Sequence, residues 1–158
     1  MSFQIGDKVI HWNHGLGEIT RIEEMMVHEC KTLCYVVNIR DLTIWVPFDE
    51  MGQRSLRVPT PGSEFENLFA ILHSPDEPLP DDRWERKNLL LKQMKDGQLA
   101  SMFQLVRDLS GYARKKRLND DDKQILEHAK NSILTEWAFS LSVPISQARK
   151  KMAELLGM

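Results

Sequence analysis

Histidine and cysteine, the side chains with the widest chemistry, stand closest together at His28, Cys30 and Cys34. Zinc prefers these ligands, but a structural zinc site needs about four of them, usually supplied by two short clusters. Only one cluster is present, and Cys34 also suits the interior of a strand. His11 and His14 could in principle complete a ligand set. The single cluster nevertheless predicts no metal site, and we expect no cofactor.

No recognisable set of catalytic residues is present in the sequence either. The sequence contains no G-x-S-x-G motif, no catalytic-cysteine signature, no phosphate-binding G-x-x-x-x-G-K-[ST] loop and no recognisable framework of paired carboxylates. This pattern favours a protein that is not an enzyme. A small metal or thiol enzyme stays as an alternative, and the metal content of the purified protein tests it.

Basic side chains are concentrated in the second half of the chain. Residues 1–73 hold 6 Lys and Arg against 10 Asp and Glu, whereas residues 83–158 hold 15 against 9, although the net charge is only -2. Such asymmetry indicates separate partners for the two halves, with nucleic acid a candidate for the second. The densest basic run, 114–117, ends a predicted helix, where cations also interact favourably with the helix dipole. Within it, Arg114 and Lys115 are the candidates for DNA contacts.

The elements that must position these residues differ between the halves. The first 58 residues contain short segments rich in β-branched and aromatic residues, such as 33–39 and 42–46, separated by turn signals. This pattern predicts a small, strongly bent β-barrel of the SH3 or Tudor kind. The remainder shows apolar residues at helical spacing, including Trp137 on a predicted core stripe. The fold class is therefore α+β in two domains, a barrel over 1–60 and an all-α helical bundle over 61–158.

Local signals mark the ends of the predicted helices. The segment 74–80 holds three prolines, so it predicts an extended connector. Capping residues favour helix starts and glycine favours a helix end. The residues that carry these signals are the capping box Ser63-Glu64-Phe65-Glu66, Asp81 or Asp82, Gly97, Asn119 and Pro144.

Five short motifs spread over nearly the whole chain form a recognisable pattern. They are Ile5-Gly6-Asp7-Lys8-Val9-Ile10-His11, His14-Gly15-Leu16-Gly17, Leu42-Thr43-Ile44-Trp45-Val46-Pro47, Arg83-Trp84-Glu85-Arg86-Lys87 and Val106-Arg107-Asp108-Leu109. In this order they resemble the CarD/CdnL bacterial transcription regulators. The first three also resemble the polymerase-binding module of transcription-repair coupling factor. A barrel followed by a helical bundle, without helicase motifs, is similar to the CarD type alone.

The resemblance implies that the barrel binds the β subunit of bacterial RNA polymerase. The contact would use the exposed edge strand around Ile44, Trp45 and Val46, since unpaired backbone groups on an edge can extend a partner's sheet. Met25 and Trp45 stand where family members can carry arginines that reach the polymerase. This departure predicts a contact that is either more apolar or tuned to another polymerase.

The resemblance also implies that the bundle binds promoter DNA, through the minor groove and phosphates and without sequence specificity. Trp84 would act as a wedge at the upstream edge of the transcription bubble, and nearby cations would hold phosphates. Its alternative role is that of a core aromatic beneath the connector. The predicted DNA contacts are Trp84, Arg83, Arg86, Lys87, Lys123, Lys130 and Arg114.

We therefore expect an architectural regulator that binds polymerase and stabilises the promoter open complex. The alternative is a protein–protein adaptor that recruits another regulator to polymerase without touching DNA. Salt-dependent affinity for duplex or forked DNA separates the two functions. With no signal peptide or membrane segment visible, we expect a cytoplasmic monomer with no membrane partner.

Overall fold

A computed structural model describes residues 3–49, 52 and 54–157. The chain divides into two compact units, Met1–Pro59 and Thr60–Met158, which are called unit 1 and unit 2 below. Each unit has its own hydrophobic core. The partner predicted for each unit stays a prediction.

Unit 1 is a five-stranded antiparallel sheet within its described residues. The strands are β1 Lys8–His11, β2 Gly15–Val27, β3 Cys30–Ile39, β4 Leu42–Pro47 and β5 Leu56–Arg57. Their order across the sheet is β4-β3-β2-β1-β5, which places β4 at an edge. The β character predicted for the first half is confirmed.

Turns and a bulge set the register of the long β2–β3 hairpin. His28 and Glu29 have φ angles of 50° and 66°, as a tight two-residue hairpin turn of the primed type requires. A register shift between Ile19 and Arg21 marks an irregularity in β2. Such bulges bend a strand and increase its twist, which is what a small curled sheet needs.

The core of unit 1 draws on all five strands. Its buried members are Phe3, Val9, Ile19, Tyr35, Val37, Ile39, Val46 and Leu56. Because residues from both edge strands share this cluster, the sheet curls around it. The Tyr35 hydroxyl accepts the Phe3 backbone N–H at 3.0 Å, which attaches the N-terminal segment to the sheet.

Unit 2 is helical. A 3₁₀ turn at Gly62–Glu64 leads into α1 Phe65–His73, α2 Arg83–Lys95, α3 Leu99–Lys115, α4 Asp120–Leu141 and α5 Ile145–Leu155. All five helices bury apolar side chains in one core, in which Trp137 is only 2% exposed. The core position predicted for Trp137 is confirmed. Among the described residues, no helix combines the length and apolar character needed to cross a membrane.

Most of the predicted helix ends are confirmed. Asn119 caps α4 in a reciprocal pair, since its side chain accepts the Asp122 N–H at 2.8 Å and its own N–H donates to Asp122 at 3.1 Å. Gly97, with φ 74°, follows α2, and Pro144 precedes α5. The capping box at Ser63 is wrong: Ser63 lies inside the 3₁₀ turn, so α1 begins at Phe65 without a side-chain cap.

The connector over 74–80 is not helical, as predicted, and it leaves α1 with extended backbone at Ser74 and contacts α3. The backbone N–H of Glu77 donates to the Asp108 carboxylate at 2.9 Å. Gly111 allows the close approach, because a Cβ there would collide with the Asp76 carboxyl group. The connector therefore delivers the chain to the start of α2 along a defined path.

Candidate functional site

Trp84 lies in the first turn of α2 and is 58% exposed. The Arg83 guanidinium carbon lies 5.3 Å from the centre of the indole ring, and the Lys87 ammonium lies 5.8 Å from it. Both distances suit cation–π contacts. Trp84 is not a core residue beneath the connector, so that alternative is wrong. The structure presents a large aromatic ring to solvent with a cation on either side of it in sequence.

The exposed face of α2 extends the Trp84 surface. Helical spacing aligns Trp84 with Asn88, Lys92 and Lys95, and all four are exposed. At about 1.5 Å per residue, this stripe is roughly 16 Å long. The opposite face buries Arg86, Leu90 and Met94. The geometry thus puts Lys92 and Lys95 in line with the tryptophan.

Arg86 corrects the sequence prediction, because it is only 4% exposed and cannot serve as a surface phosphate contact. Its Nε and Nη2 donate to the two carboxylate oxygens of Asp122, each at 2.9 Å. Its Nη1 donates to the carbonyls of Pro80 and Asp81 at 3.1 Å and to the Tyr112 hydroxyl at 3.2 Å. The hydrogen bond to Asp122 raises the pKa of Arg86 above its ordinary value, although burial opposes this shift.

Three helix ends meet around Arg86. The pair with Asp122 joins the start of α2 to the start of α4, and Tyr112 brings in the last turns of α3. Lys116, just after α3, forms an ion pair with Asp81. Their mutual hydrogen bond lowers the pKa of Asp81 and raises that of Lys116. The starts of α2 and α4 and the end of α3 therefore lie together at one end of the helical bundle, and so do the basic residues that they carry.

The remaining predicted DNA contacts differ in their surroundings. Lys87 is half-buried, and its ammonium lies 3.5 Å from the Asp121 carboxylate. Lys123 is exposed on α4. Lys130 lies two turns further along α4 and, with Arg149, lines a surface cavity of about 220 Å³. Arg114 donates to the Leu156 carbonyl, so it holds α5 on α3. For Arg114 the structural role is the one that the geometry favours.

No direct signal in the sequence indicates the roles of Asp122 and Tyr112. Asp122 is 1% exposed, although it looks like one of three surface aspartates at the start of a helix. Its place in the Asn119 capping pair was the available signal, because that pair turns its carboxylate toward the helix start. Nothing in the sequence indicated that Arg86, 36 residues earlier, completes its hydrogen bonding.

In unit 1, β4 is an edge strand, with β3 on its one paired side in the described sheet. Of the predicted polymerase contacts on it, Trp45 is 42% exposed, Ile44 is half-buried and Val46 lies in the core. Val46 can therefore offer a partner only its backbone. Met25, on β2, is 37% exposed.

The Trp45 indole is held in place on the outer face of the sheet. Its Nε1–H donates to the Glu23 carboxylate at 2.9 Å, and Arg21 forms an ion pair with the same carboxylate. The bond from Trp45, followed by the one from Arg21, lowers the pKa of Glu23. Because Trp45 pairs with Val36, and Glu23 with Cys34, the indole crosses β3 diagonally.

The surroundings of the histidines and cysteines in the described part of unit 1 show no metal-binding arrangement. Within the described ranges, no group of three or more His, Cys, Asp or Glu side chains is placed to hold a metal ion. Cys34 is buried in β3, and this burial raises the pKa of its thiol. His11 accepts the N–H groups of Asn13 and His14 through Nδ1, each at 3.1 Å. Partial burial, followed by repulsion from His14, lowers the pKa of His11 to about 4.

Comparison with known proteins gives both units the same affiliation. Residues 3–58 match the family model of the CarD-like/TRCF RID domain, which has a Tudor-like fold, and residues 67–153 match that of the CarD C-terminal domain. This combination points to a transcription factor, and it supports interaction with RNA polymerase. The predicted fold class is confirmed.

The chain belongs to the CarD/CdnL family. It is also similar to the putative transcription factor YdeB of Bacillus subtilis (strain 168). The two are 29% identical over 139 residues, which cover 85% of this chain and 89% of YdeB.

Proposed function

We propose that this protein binds the β subunit of RNA polymerase through β4 and stabilises the promoter open complex through Trp84. The observation that carries the second part is the exposed indole at the start of α2, with Arg83 and Lys87 beside its ring. An exposed tryptophan with cationic neighbours suits a negatively charged partner that has aromatic surfaces to stack on. Nucleic acid has both properties.

The wedge has a direct physical basis. An apolar side chain inserted at a base step occupies the space left by unstacking, and a ring stacked on a base contributes about 1–3 kcal/mol. At the edge of a transcription bubble the step is already open, so the protein stabilises an existing state. The stacking surface is common to all bases, which fits binding without sequence specificity.

The phosphate contacts follow from those cations of unit 2 that are exposed or half-buried. We assign them to Arg83, Lys87, Lys92 and Lys123, with Lys130 beside the α4–α5 cavity. Lys87 exchanges Asp121 for a phosphate when DNA binds. Phosphate contacts add affinity that falls with salt and carries no sequence information. Arg86 has no part in this set, because its donors are directed into the protein.

The polymerase contact is assigned to the edge strand. On one side β4 pairs with no strand of the described sheet, so that side offers backbone groups for an added strand of the partner, and Trp45 with Met25 supplies apolar surface beside it. The Glu23 hydrogen bond fixes the indole before binding, so less side-chain entropy is lost on association.

The test is the lifetime of open complexes formed by a cognate bacterial polymerase with wild-type protein and with Trp84→Ala. We expect the wild type to prolong the lifetime and Trp84→Ala to lose most of the gain. Leu89→Ala, which removes another exposed apolar side chain of α2, is the matched control and retains it. If wild type has no effect while unit 1 still binds polymerase, the wedge is refuted and the adaptor function is supported.

A further inference from the structure

We infer that the Arg86–Asp122 ion pair is the positioning element that holds the first turn of α2 and thereby presents Trp84. This inference rests on the proposed function of Trp84 and adds the residues that make it effective. Neither Arg86 nor Asp122 touches DNA in this mechanism. Both act through the tryptophan.

The geometry of α2 places the proposed DNA contact, Trp84, and the positioning residue, Arg86, on different faces of the helix. Successive helical residues are rotated by about 100°, so Trp84 and Arg86 point in nearly opposite directions. Trp84 is 58% exposed, and Arg86 is 4% exposed. The same turn therefore carries an outward ring and an inward guanidinium, and movement of one displaces the other.

The first turn of α2 lacks the usual local stabilisation. Asp82 occupies the N-cap position, but its side chain accepts no hydrogen bond from the backbone N–H groups of the first turn. Arg86 stabilises this turn from its buried side instead. Its Nη1 donates hydrogen bonds to the carbonyls of Pro80 and Asp81, which immediately precede the helix. The turn that carries Trp84 thus depends on a residue within the helix more than on a cap.

Asp122 makes that tie rigid. Its carboxylate accepts two parallel bonds from Arg86, and one of its oxygens also accepts the Asn119 N–H. The Asp122 N–H in turn donates to Asn119. Asp122 is therefore fixed at the start of α4. Its two parallel hydrogen bonds with the Arg86 guanidinium hold the start of α2 in a defined position relative to α4. Tyr112 completes the site, with its ring centre 4.8 Å from the Arg86 guanidinium carbon.

A second buried ion pair in the same unit provides a matched control. Arg107 and Asp108 form a contact of 2.8 Å, with side chains 13% and 6% exposed. Asp108 also accepts a backbone N–H, from Glu77 of the connector. Replacing Asp108 by Asn therefore perturbs a buried carboxylate whose partners among the described residues are Arg107 and Glu77, and not the first turn of α2.

The experiment compares Asp122→Asn with Asp108→Asn in the full-length protein. Open-complex lifetime reports function, amide hydrogen exchange at residues 86–88, whose N–H groups are the first to bond within the helix, reports the order of the turn, and thermal unfolding reports stability. We expect Asp122→Asn to reduce the lifetime gain at least fivefold and to speed exchange at these amides. Asp108→Asn retains most of the gain at a comparable loss of thermal stability. Equal losses of lifetime gain in the two variants would overturn the inference.

A double-mutant cycle tests whether Asp122 acts through Trp84. If it does, adding Asp122→Asn to Trp84→Ala causes no further loss, because the positioned group is already absent. Additive losses contradict the inference. Arg86→Lys serves the same cycle if Asp122→Asn fails to fold, since lysine keeps the charge but cannot form the two-bond contact.

The outcomes separate this inference from the proposed function. If Trp84→Ala behaves as wild type, the wedge itself is wrong. If Trp84→Ala loses the gain while Asp122→Asn and Arg86→Lys keep it, the wedge stands and the positioning role is wrong.

Discussion

Trp45 and Trp84 are both large exposed aromatic residues, yet their surroundings differ in kind. Trp45 lies across β3, and its indole N–H is hydrogen-bonded to Glu23. For Trp84, no indole hydrogen bond is found among the described residues, and two cations flank its ring. Fractional exposure alone would assign them the same role. The bonding of the indole and the sign of the neighbouring charges distinguish a fixed surface from a free wedge.

The same contrast extends to what each residue stabilises. Trp45 covers part of a strand whose Val36 and Cys34 are buried, so it is part of the fold of unit 1. Trp84 covers little and is itself positioned by buried groups on the far side of its helix. The first residue is both structural and a candidate contact, whereas the second is a candidate contact alone.

The largest effect expected from this contrast is on stability. Trp45→Ala should lower the free energy of unfolding of unit 1 by about 1–3 kcal/mol, because it uncovers part of β3. Trp84→Ala should change that of unit 2 by no more than about 0.5 kcal/mol, as exposed replacements usually do. Urea denaturation followed through amide NMR resonances of each unit measures both. Similar losses for the two variants would remove the distinction.

Sequence reasoning succeeded where the signal is local. The alternation around Ile44 and Val46 gave β4, the Asn119 cap gave the start of α4, and the apolar stripe gave the core position of Trp137. Each of these features depends on neighbours a few residues away. Ser63 is the local signal that failed, because a 3₁₀ turn occupies the place of the expected cap.

Sequence reasoning failed where a side chain finds its partner at long range. Arg86 follows a tryptophan in a basic segment, which is typical of a surface, but its partner Asp122 stands 36 residues away. The Trp45–Glu23 bond spans 22 residues and depends on the register of two strand pairs. Composition and spacing contain no information on such pairs until the topology is known.

The second effect is a loss of stability of unit 1 in acid. The pKa of His11 is lowered to about 4 in the folded protein, so between pH 6.5 and 4 the unfolded chain binds a proton that the folded chain does not. Stability therefore falls as the pH falls through this window. For a half-exposed ring, we expect a loss of about 1–2 kcal/mol after allowing for solvent screening.

The measurement is urea denaturation of unit 1 at pH 6.5 and 4.5 in wild type and His11→Asn. Asparagine retains an oxygen that can accept the two N–H groups but does not titrate, so His11→Asn should show a smaller pH dependence. His28→Asn, at an exposed position in the same unit, serves as the control and should behave as wild type. An unchanged pH dependence in His11→Asn would contradict the assignment.

The third effect concerns the stripe of α2 below Trp84. Lys92→Gln and Lys95→Gln should each weaken binding to forked duplex DNA roughly threefold and reduce the salt slope by about 0.9. Trp84→Ala should weaken binding without changing the slope, since it removes no charge. Lys150→Gln, an exposed position on α5, is the control for loss of a lysine elsewhere. Equal changes in slope for Lys150→Gln and Lys92→Gln would show that general charge, rather than the stripe, binds DNA.

The smallest effect isolates the hydrogen bond that separates the two tryptophans. In wild type, the indole N–H of Trp45 should exchange with solvent more slowly than that of Trp84, as measured by NMR on the ¹⁵N-labelled indoles. Glu23→Gln should keep Trp45 protected, because the amide oxygen still accepts its N–H although the charge opposite Arg21 is lost. Glu23→Ala should bring the two exchange rates together. If Trp45 stays protected in Glu23→Ala, its position is fixed by packing on β3 alone, and the contrast with Trp84 then rests on coverage of the strand rather than on bonding.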